Sequence, residues 1–143
     1  MPTIQRSALM PYSAETMFNI VNDVAAYPGF LPWCGDSKIL SQDEDSMDAS
    51  VLMKKGVLNH WFSTHNELEA NQSIDMKLID GPFKKLEGSW RFHELDTDAC
   101  KIELDLEFEF SLGLASTLLT PIFTQIANTM VDSFCARAYE VNQ

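Results

Sequence analysis

The stretch from Cys100 to Leu112 limits what this chain can become more than any other. Its even-numbered residues are all apolar (Cys100, Ile102, Leu104, Leu106, Phe108, Phe110, Leu112), and its odd-numbered residues are all polar and mostly acidic. Side chains alternate faces along a strand, so this is one long β-strand with a dry face and a wet face. That pattern belongs to an antiparallel sheet solvated on one side. The dry face needs a cover. Leu119, Ile122, Phe123, Ile126, Met130, Phe134 and Ala138 recur at helical spacing, within a helix expected from Thr120 to about Val141. Thr120 is placed to cap it and Pro121 to be its first residue, where a missing N–H costs nothing. Leu114–Leu119 reads as a separate helical turn before it. The architecture expected is a sheet gripping one long C-terminal helix.

The rest of the chain supplies the sheet. Residues 3–10 read as a first strand, with Ile4, Ala8 and Met10 on one face, ended by Pro11. Ser13 suits the N-cap of a short helix with Glu15 in its first turn and Met17, Phe18, Ile20, Val21 and Val24 on its apolar face. Tyr27-Pro28-Gly29-Phe30-Leu31-Pro32-Trp33 then breaks and turns the chain. Strands follow over Ser37–Gln42, Met47–Lys55, His60–Glu69, Ser73–Ile79 and Leu86–Leu95. They are separated by turn signals at Asp43-Glu44-Asp45-Ser46, Gly56, Asn71-Gln72, Asp80-Gly81-Pro82 and Asp96-Thr97-Asp98. The sequence holds no internal repeat and no linker. It reads as one domain over 1–143, long enough for a real core.

Charge and cysteine usage narrow the function. Ten Lys and Arg face 21 Asp and Glu, for a net charge of −11. That balance opposes broad binding to DNA or to an anionic membrane surface, and leaves room for a basic protein partner. Three Cys (34, 100 and 135) leave one over from any pairing, as expected for a reduced, cytoplasmic protein. The first residues lack an apolar signal core, and no apolar run reaches the roughly 18 residues of a membrane span.

No catalytic constellation stands out. His60, His65 and His93 are scattered, and the Cys and His lack zinc-ligand spacing, so no metal site is expected. Cys34 has no His near it in sequence to activate it as a nucleophile. Phe62, Thr64, Asn66 and Leu68 share one strand face whose apolar ends point it inward. Thr64 and Asn66 are then buried polar groups, partnered by protein and water or by a ligand's polar head. Gly88, between Leu86 and Trp90, leaves room rather than filling it. The inward set is rich in Met and aromatic side chains, which suit both an ordinary core and an adaptable apolar cavity. Lys54, Lys55, Lys84, Lys85 and Arg91 are the local basic residues, either a solvated face or a contact patch for a partner.

Several motifs together resemble a known family. They are Pro11-Tyr12-Ser13-Ala14-Glu15, Asn22-Asp23-Val24, Tyr27-Pro28-x-Phe30-Leu31-Pro32-Trp33-Cys34, Asp80-Gly81-Pro82-Phe83-Lys84-Lys85-Leu86 with Gly88 and Trp90-x-Phe92, Phe108-Glu109-Phe110, and Met130-Val131 with Phe134 and Arg137-Ala138. Together they are similar to the START-like coenzyme-Q-binding and ribosome-association-toxin family of the polyketide-cyclase-like superfamily, over residues 2 to 141. The length without a targeting extension is closer to the bacterial members.

The resemblance implies an α+β helix-grip fold: a curved antiparallel sheet of about six to seven strands around a long C-terminal helix, with two short helices after the first strand. It implies a cavity between sheet and helix. It also implies two roles, neither enzymatic: binding ubiquinone or a similar isoprenoid lipid in support of respiration, and binding the large ribosomal subunit so that the small one cannot join. No cofactor is required by either role. A third reading, a polyketide cyclase or aromatase, needs a positioned acid or base. The expected cavity lining is Met53, Phe62, Met76, Trp90, Phe92, Phe108, Phe110, Ile126 and Met130, with Thr64 and Asn66 for a head group. Tyr27, Phe30, Leu31 and Trp33 form the expected entrance loop.

Overall fold

The computed structural model describes residues 2–111 and 116–142. Seven strands make one antiparallel sheet: β1 (Thr3–Met10), β2 (Cys34–Gln42), β3 (Ser46–Lys55), β4 (Leu58–Glu69), β5 (Ser73–Asp80), β6 (Phe83–Asp96) and β7 (Ala99–Phe110). Their spatial order is β1-β7-β6-β5-β4-β3-β2. Strands β2 to β7 thus meander through hairpins, and β1 closes against β7 at the far edge. Register keeps like faces together: Ile4 lies opposite Leu106, Met10 opposite Cys100, Leu86 opposite Phe108 and Trp90 opposite Leu104. All even residues of β7 from Cys100 to Phe110 are buried, so the alternation that defined this strand is its dry face. Leu112, its expected last residue, lies outside the described residues.

The turns follow their residue chemistry. Asn71, in the β4–β5 turn, takes a positive φ of 64°, which an Asn tolerates better than most side chains. Gly81, between β5 and β6, has a φ of 147°, and a Cβ there would meet the Phe62 side chain at 2.6 Å. Helix α1 (Ala14–Asn22) starts where Ser13 accepts a hydrogen bond from the Thr16 N–H at 3.1 Å.

Two local expectations are corrected. The aromatic loop does not break into irregular chain at Tyr27: a short 3-10 helix spans Val24–Gly29 and contains Pro28. The fixed φ of proline fits 3-10 dihedrals, and the Tyr27 hydroxyl donates to the Val21 carbonyl, which ties the turn back to α1. The C-terminal helix does not start at Thr120. Helix α2 runs Ser116–Val141 with Pro121 inside it, so Thr120 is helical rather than a cap. Residues 116–119 continue into the same helix instead of forming a turn of their own, while Leu114 and Ala115 lie outside the described residues. Thr120 keeps a local partner, because the Thr124 hydroxyl donates to its carbonyl at 2.8 Å.

Helix α2 buries Leu119, Phe123, Ile126, Phe134 and Ala138 of the expected stripe, while Ile122 and Met130 are only partly buried and Ala127 and Val131 join the buried face. It rests chiefly on β1, β7 and α1, while the 3-10 segment rests on β2. The middle of the sheet's dry face is therefore roofed by side chains reaching down from α2 and across from the aromatic loop. The candidate site lies there.

Candidate ligand cavity

A partly enclosed space lies between the inner faces of β3 to β7, α2 and the aromatic loop. Its walls are Val24, Tyr27, Trp33, Ala49, Val51, Phe62, Thr64, Asn66, Met76, Leu86, Trp90, Leu104, Leu106, Phe123 and Met130. The strand period sets this lining: Ala49 and Val51 on β3 lie opposite Thr64 and Phe62 on β4, and Asn66 lies opposite Met76 on β5. The free volume is about 80 Å³, far below the roughly 300 Å³ at which small-molecule pockets begin. A larger open groove, about 680 Å³, carries Glu67, Asp75, Glu87, Asp105 and Glu107. Its acidic walls are already part of the solvated sheet face.

Of the residues expected to line a cavity, Phe62, Thr64, Asn66, Met76, Trp90 and Met130 surround this space. Met53, Phe92, Phe108, Phe110 and Ile126 do not; they are packed into solid core. Phe92 meets Phe18 of α1 edge-on at 5.5 Å. Phe108 and Phe110 join Phe83 and Phe123 in an aromatic cluster, with Phe83 and Phe110 stacked at 4.5 Å. The alternation marks all of these as inward, but only proximity to the gap between helix and loop separates wall from core. For that reason Val24, Ala49, Val51, Leu86, Leu104, Leu106 and Phe123 are wall residues that sequence reasoning missed as such. Gly88 does not open the cavity either. A Cβ there would stand 2.7 Å from the Asp105 carbonyl oxygen and 2.7 Å from Leu106 Cδ1, so the glycine permits a close strand approach.

The aromatic loop divides in the same way. Tyr27 and Trp33 reach the space, while Leu31 is fully buried beneath the loop. Phe30 packs outward against α2, 5.7 Å from Phe134, with the Arg137 guanidinium 4.9 Å over its ring. Tyr27 also meets Phe134, at 5.4 Å. The loop is thus latched to the C-terminal half of α2 by an aromatic cluster.

Polar groups in the walls are few. Thr64 and Asn66 are buried, and the Thr64 hydroxyl donates to Asn66 Oδ1 at 2.8 Å. The Trp33 indole N–H is buried without a partner among the described residues. Burial pushes the Tyr27 phenol well above its ordinary range, and the neighbouring Cys34 and Asp23 push the same way. Tyr27 therefore stays a neutral donor. Cys34 lies behind the wall; burial raises its thiol too, which disfavours the thiolate that a nucleophile needs. Among the described residues, no wall side chain is an Asp, Glu, His, Lys, Arg or Cys. The histidines lie elsewhere: His65 pairs with Asp48 across β3 and β4, and His93 lies 3.5 Å from Glu103.

The basic residues do not form one patch. Arg91 is six residues beyond Lys85 on β6, about 20 Å at strand rise, and pairs with Asp75 at 3.7 Å. Lys84 and Lys85 face Glu109 at 3.7 Å and Glu107 at 3.3 Å. Lys54 and Lys55 are exposed at the β3–β4 turn, beside the 71% exposed Val57.

Residues 10–135 match the family described as "Polyketide cyclase / dehydrase and lipid transport". The chain is also 50% identical over 138 residues to the ribosome association toxin RatA of Pseudomonas aeruginosa, covering 96% of each protein. The chain belongs to this family, on its RatA branch. The coenzyme Q-binding protein COQ10 homolog B of Xenopus laevis, a mitochondrial protein, is 31% identical over 90% of the chain and 54% of that protein. In fold the RatA-branch chain superposes on the Zhui aromatase/cyclase of Streptomyces with a TM-score of 0.87 at 13% identity, covering 99% of the chain and 96% of the cyclase. That degree of identity speaks to the START-like, helix-grip fold alone. Among the described residues, no helix is long and apolar enough to cross a membrane.

Proposed function

We propose that this chain is a non-enzymatic cytoplasmic factor that binds the large ribosomal subunit and opposes its joining to the small one. The observation that carries the reading is half-identity to a ribosome association toxin over nearly the full length of both proteins. The cavity supports the non-enzymatic part. Acid–base chemistry needs a positioned group that titrates near neutrality, and among the described residues the only ionisable one in the wall is Tyr27, whose phenol is held protonated. With a net charge of −11, contact through a basic ribosomal protein fits better than contact along RNA. The β3–β4 turn, with Lys54, Lys55 and Val57, is the favoured contact point, because Lys84, Lys85 and Arg91 already face carboxylates.

The test is a sedimentation profile of purified subunits mixed with the protein. The expected result is loss of the joined ribosome, with the protein migrating in the large-subunit peak. Charge reversal at Lys54 and Lys55 should release it. Full joining at saturating protein would overturn the reading.

A second reading is favoured by the cavity itself: the protein takes up an uncharged apolar molecule of quinone or isoprenoid type. Burial of each methylene contributes about 0.8 kcal/mol, so an apolar tail needs no charged anchor. An organic extract of protein purified without detergent from a quinone-producing bacterium should contain such a molecule in stoichiometric amount. An empty protein that also refuses added quinone would remove this reading and leave the ribosomal one standing.

A further inference from the structure

We propose that the patch around Trp61, on the outer face of the sheet, is a contact surface for single-stranded RNA. An unpaired base stacks on the indole, and Lys38, Lys54 and Lys55 take the flanking phosphates. The inference rests on the ribosomal reading above, and it adds the surface and the chemistry of the contact.

The basic side chains fall into two groups. Arg6, Lys84, Lys85, Arg91, Lys101 and Arg137 each pair with a carboxylate. Among the described residues, Lys38, Lys54, Lys55 and Lys77 form no such pair, and three of these four converge on one place. Phe62 and Thr64 of β4 turn into the cavity, so Trp61 and Ser63 face the other way, toward solvent. Trp61 is 38% exposed. It lies opposite Leu52 of β3, and Lys54 stands in the adjacent row, opposite Asn59. Lys38 of β2 reaches across the sheet, its ammonium 4.8 Å over the Trp61 ring. Lys55 ends β3 at the turn. In the next row Ser50 and Ser63, hydrogen-bonded to each other, are too small to cover the indole.

A ring on an open sheet with cations around it matches one nucleotide step. Every base has a π-face, so stacking needs a flat ring and room above it rather than a pocket. The Lys38 ammonium can leave the ring to the base and take a phosphate. Two carboxylates share this part of the face, Asp36 opposite Leu52 and Asp80 opposite Ser63, and the three lysines outnumber them. The next acid, Asp48, pairs with His65, four residues along β4 from Trp61, about 13 Å at strand rise. That exceeds the screening length of about 8 Å at physiological salt. A net charge of −11 opposes a long track along RNA, but a contact of one base and its phosphates needs only two or three cations. A basic ribosomal protein suits the acidic remainder of the surface, whereas here it would meet lysines. An acidic peptide would satisfy the lysines and make no use of the indole face.

The experiment irradiates the protein bound to purified large subunits with ultraviolet light, then digests with nuclease and trypsin. Mass spectrometry should find a nucleotide adduct at Trp61, in the peptide 56–77. Trp61→Ala should weaken subunit binding about five- to 150-fold, and Trp61→Phe should restore most of it. Lys54→Gln should lower the salt slope of binding by about 0.7, while Lys84→Gln, whose lysine is already paired, should leave it unchanged. Unaltered thermal melts would show that the variants are folded. Subunit binding that survives Trp61→Ala, with no adduct on the peptide, would overturn this surface and leave the ribosomal reading standing. Binding lost in Trp61→Ala without an adduct, together with a chemical cross-link from Lys54 or Lys55 to a ribosomal protein, would overturn RNA as the occupant. Failure of the wild-type protein to bind the subunit would overturn the ribosomal reading and this inference with it.

Discussion

Single residues in this protein do more by what they leave out than by what they add. Gly88 is the clearest case. It pairs with Leu106 in the centre of the sheet, where the β7 backbone comes so close that a methyl group would collide with the Asp105 carbonyl. Backbone cannot step aside as a side-chain tip can. Gly88→Ala should therefore destabilise the fold by about 1–3 kcal/mol, the usual cost of overpacking, and denaturant titration should show an earlier midpoint. An unchanged midpoint would mean that β6 and β7 separate freely at this rung. Sequence reading took the same glycine for vacant space inside the cavity. The pattern gave its face correctly, but a glycine in an alternating strand looks the same whether it makes room for a ligand or for a neighbouring strand. Only the distance to Asp105 decides.

At the scale of elements, the question is what holds a long helix on the edge of a sheet. Helix α2 lies along β1 and β7, and β1 is an edge strand. Its polar tie is Arg6, whose Nη1 donates to the Asn128 backbone carbonyl at 2.6 Å, while Nη2 reaches Asp132 at 3.4 Å. The two contacts differ in kind. The first is a charge-assisted bond to a part-buried carbonyl, of the class worth about 1.5–3 kcal/mol. The second is a long, exposed ion pair, worth about 0–1 kcal/mol. Arg6→Met should cost at least twice what Asp132→Asn costs, and the loss from Arg6→Met should persist in high salt. Thermal melts of both variants at low and high salt test this; equal losses that vanish in salt would show that the ion pair is the real tie. The helix itself was legible from its 3.6-residue stripe, and the strands from their alternation. Its start was not. Thr120-Pro121 has the chemistry of a helix N-terminus, but the chain is already helical from Ser116, and Pro121 is carried inside. Local start signals are weak beside the packing of Leu119 and Phe123 into the core.

At the scale of the whole molecule, the cavity and its cover set the terms of any uptake. Sequence reasoning could place Phe62, Thr64, Asn66, Met76, Trp90 and Met130 on inward faces, because strand and helix periods fix the direction of a side chain. It could not tell these from Phe108 or Ile126, because cavity and core have the same composition and differ only in where the roof stands off the sheet. About 80 Å³ cannot admit a ring with a tail, so part of the wall must give before such a guest enters, and the aromatic loop is the cover that the test below addresses. What holds the loop down is the cluster of Tyr27, Phe30 and Phe134 with Arg137 over Phe30. If opening limits entry, the observed uptake rate with excess quinone should rise and then level off at the opening rate. Phe30→Ala removes two ring contacts, with Tyr27 and Phe134, and a cation–π contact, each worth roughly 0.5–1.5 kcal/mol. A combined loss near 1.4 kcal/mol would raise the plateau about tenfold. Stopped-flow quenching of the tryptophan fluorescence by a decyl-substituted para-benzoquinone would follow it, since Trp33 and Trp90 both line the space. A rate that climbs linearly without a plateau, identical in Phe30→Ala, would place the route of entry elsewhere, and the loop would then be a fixed wall of the fold.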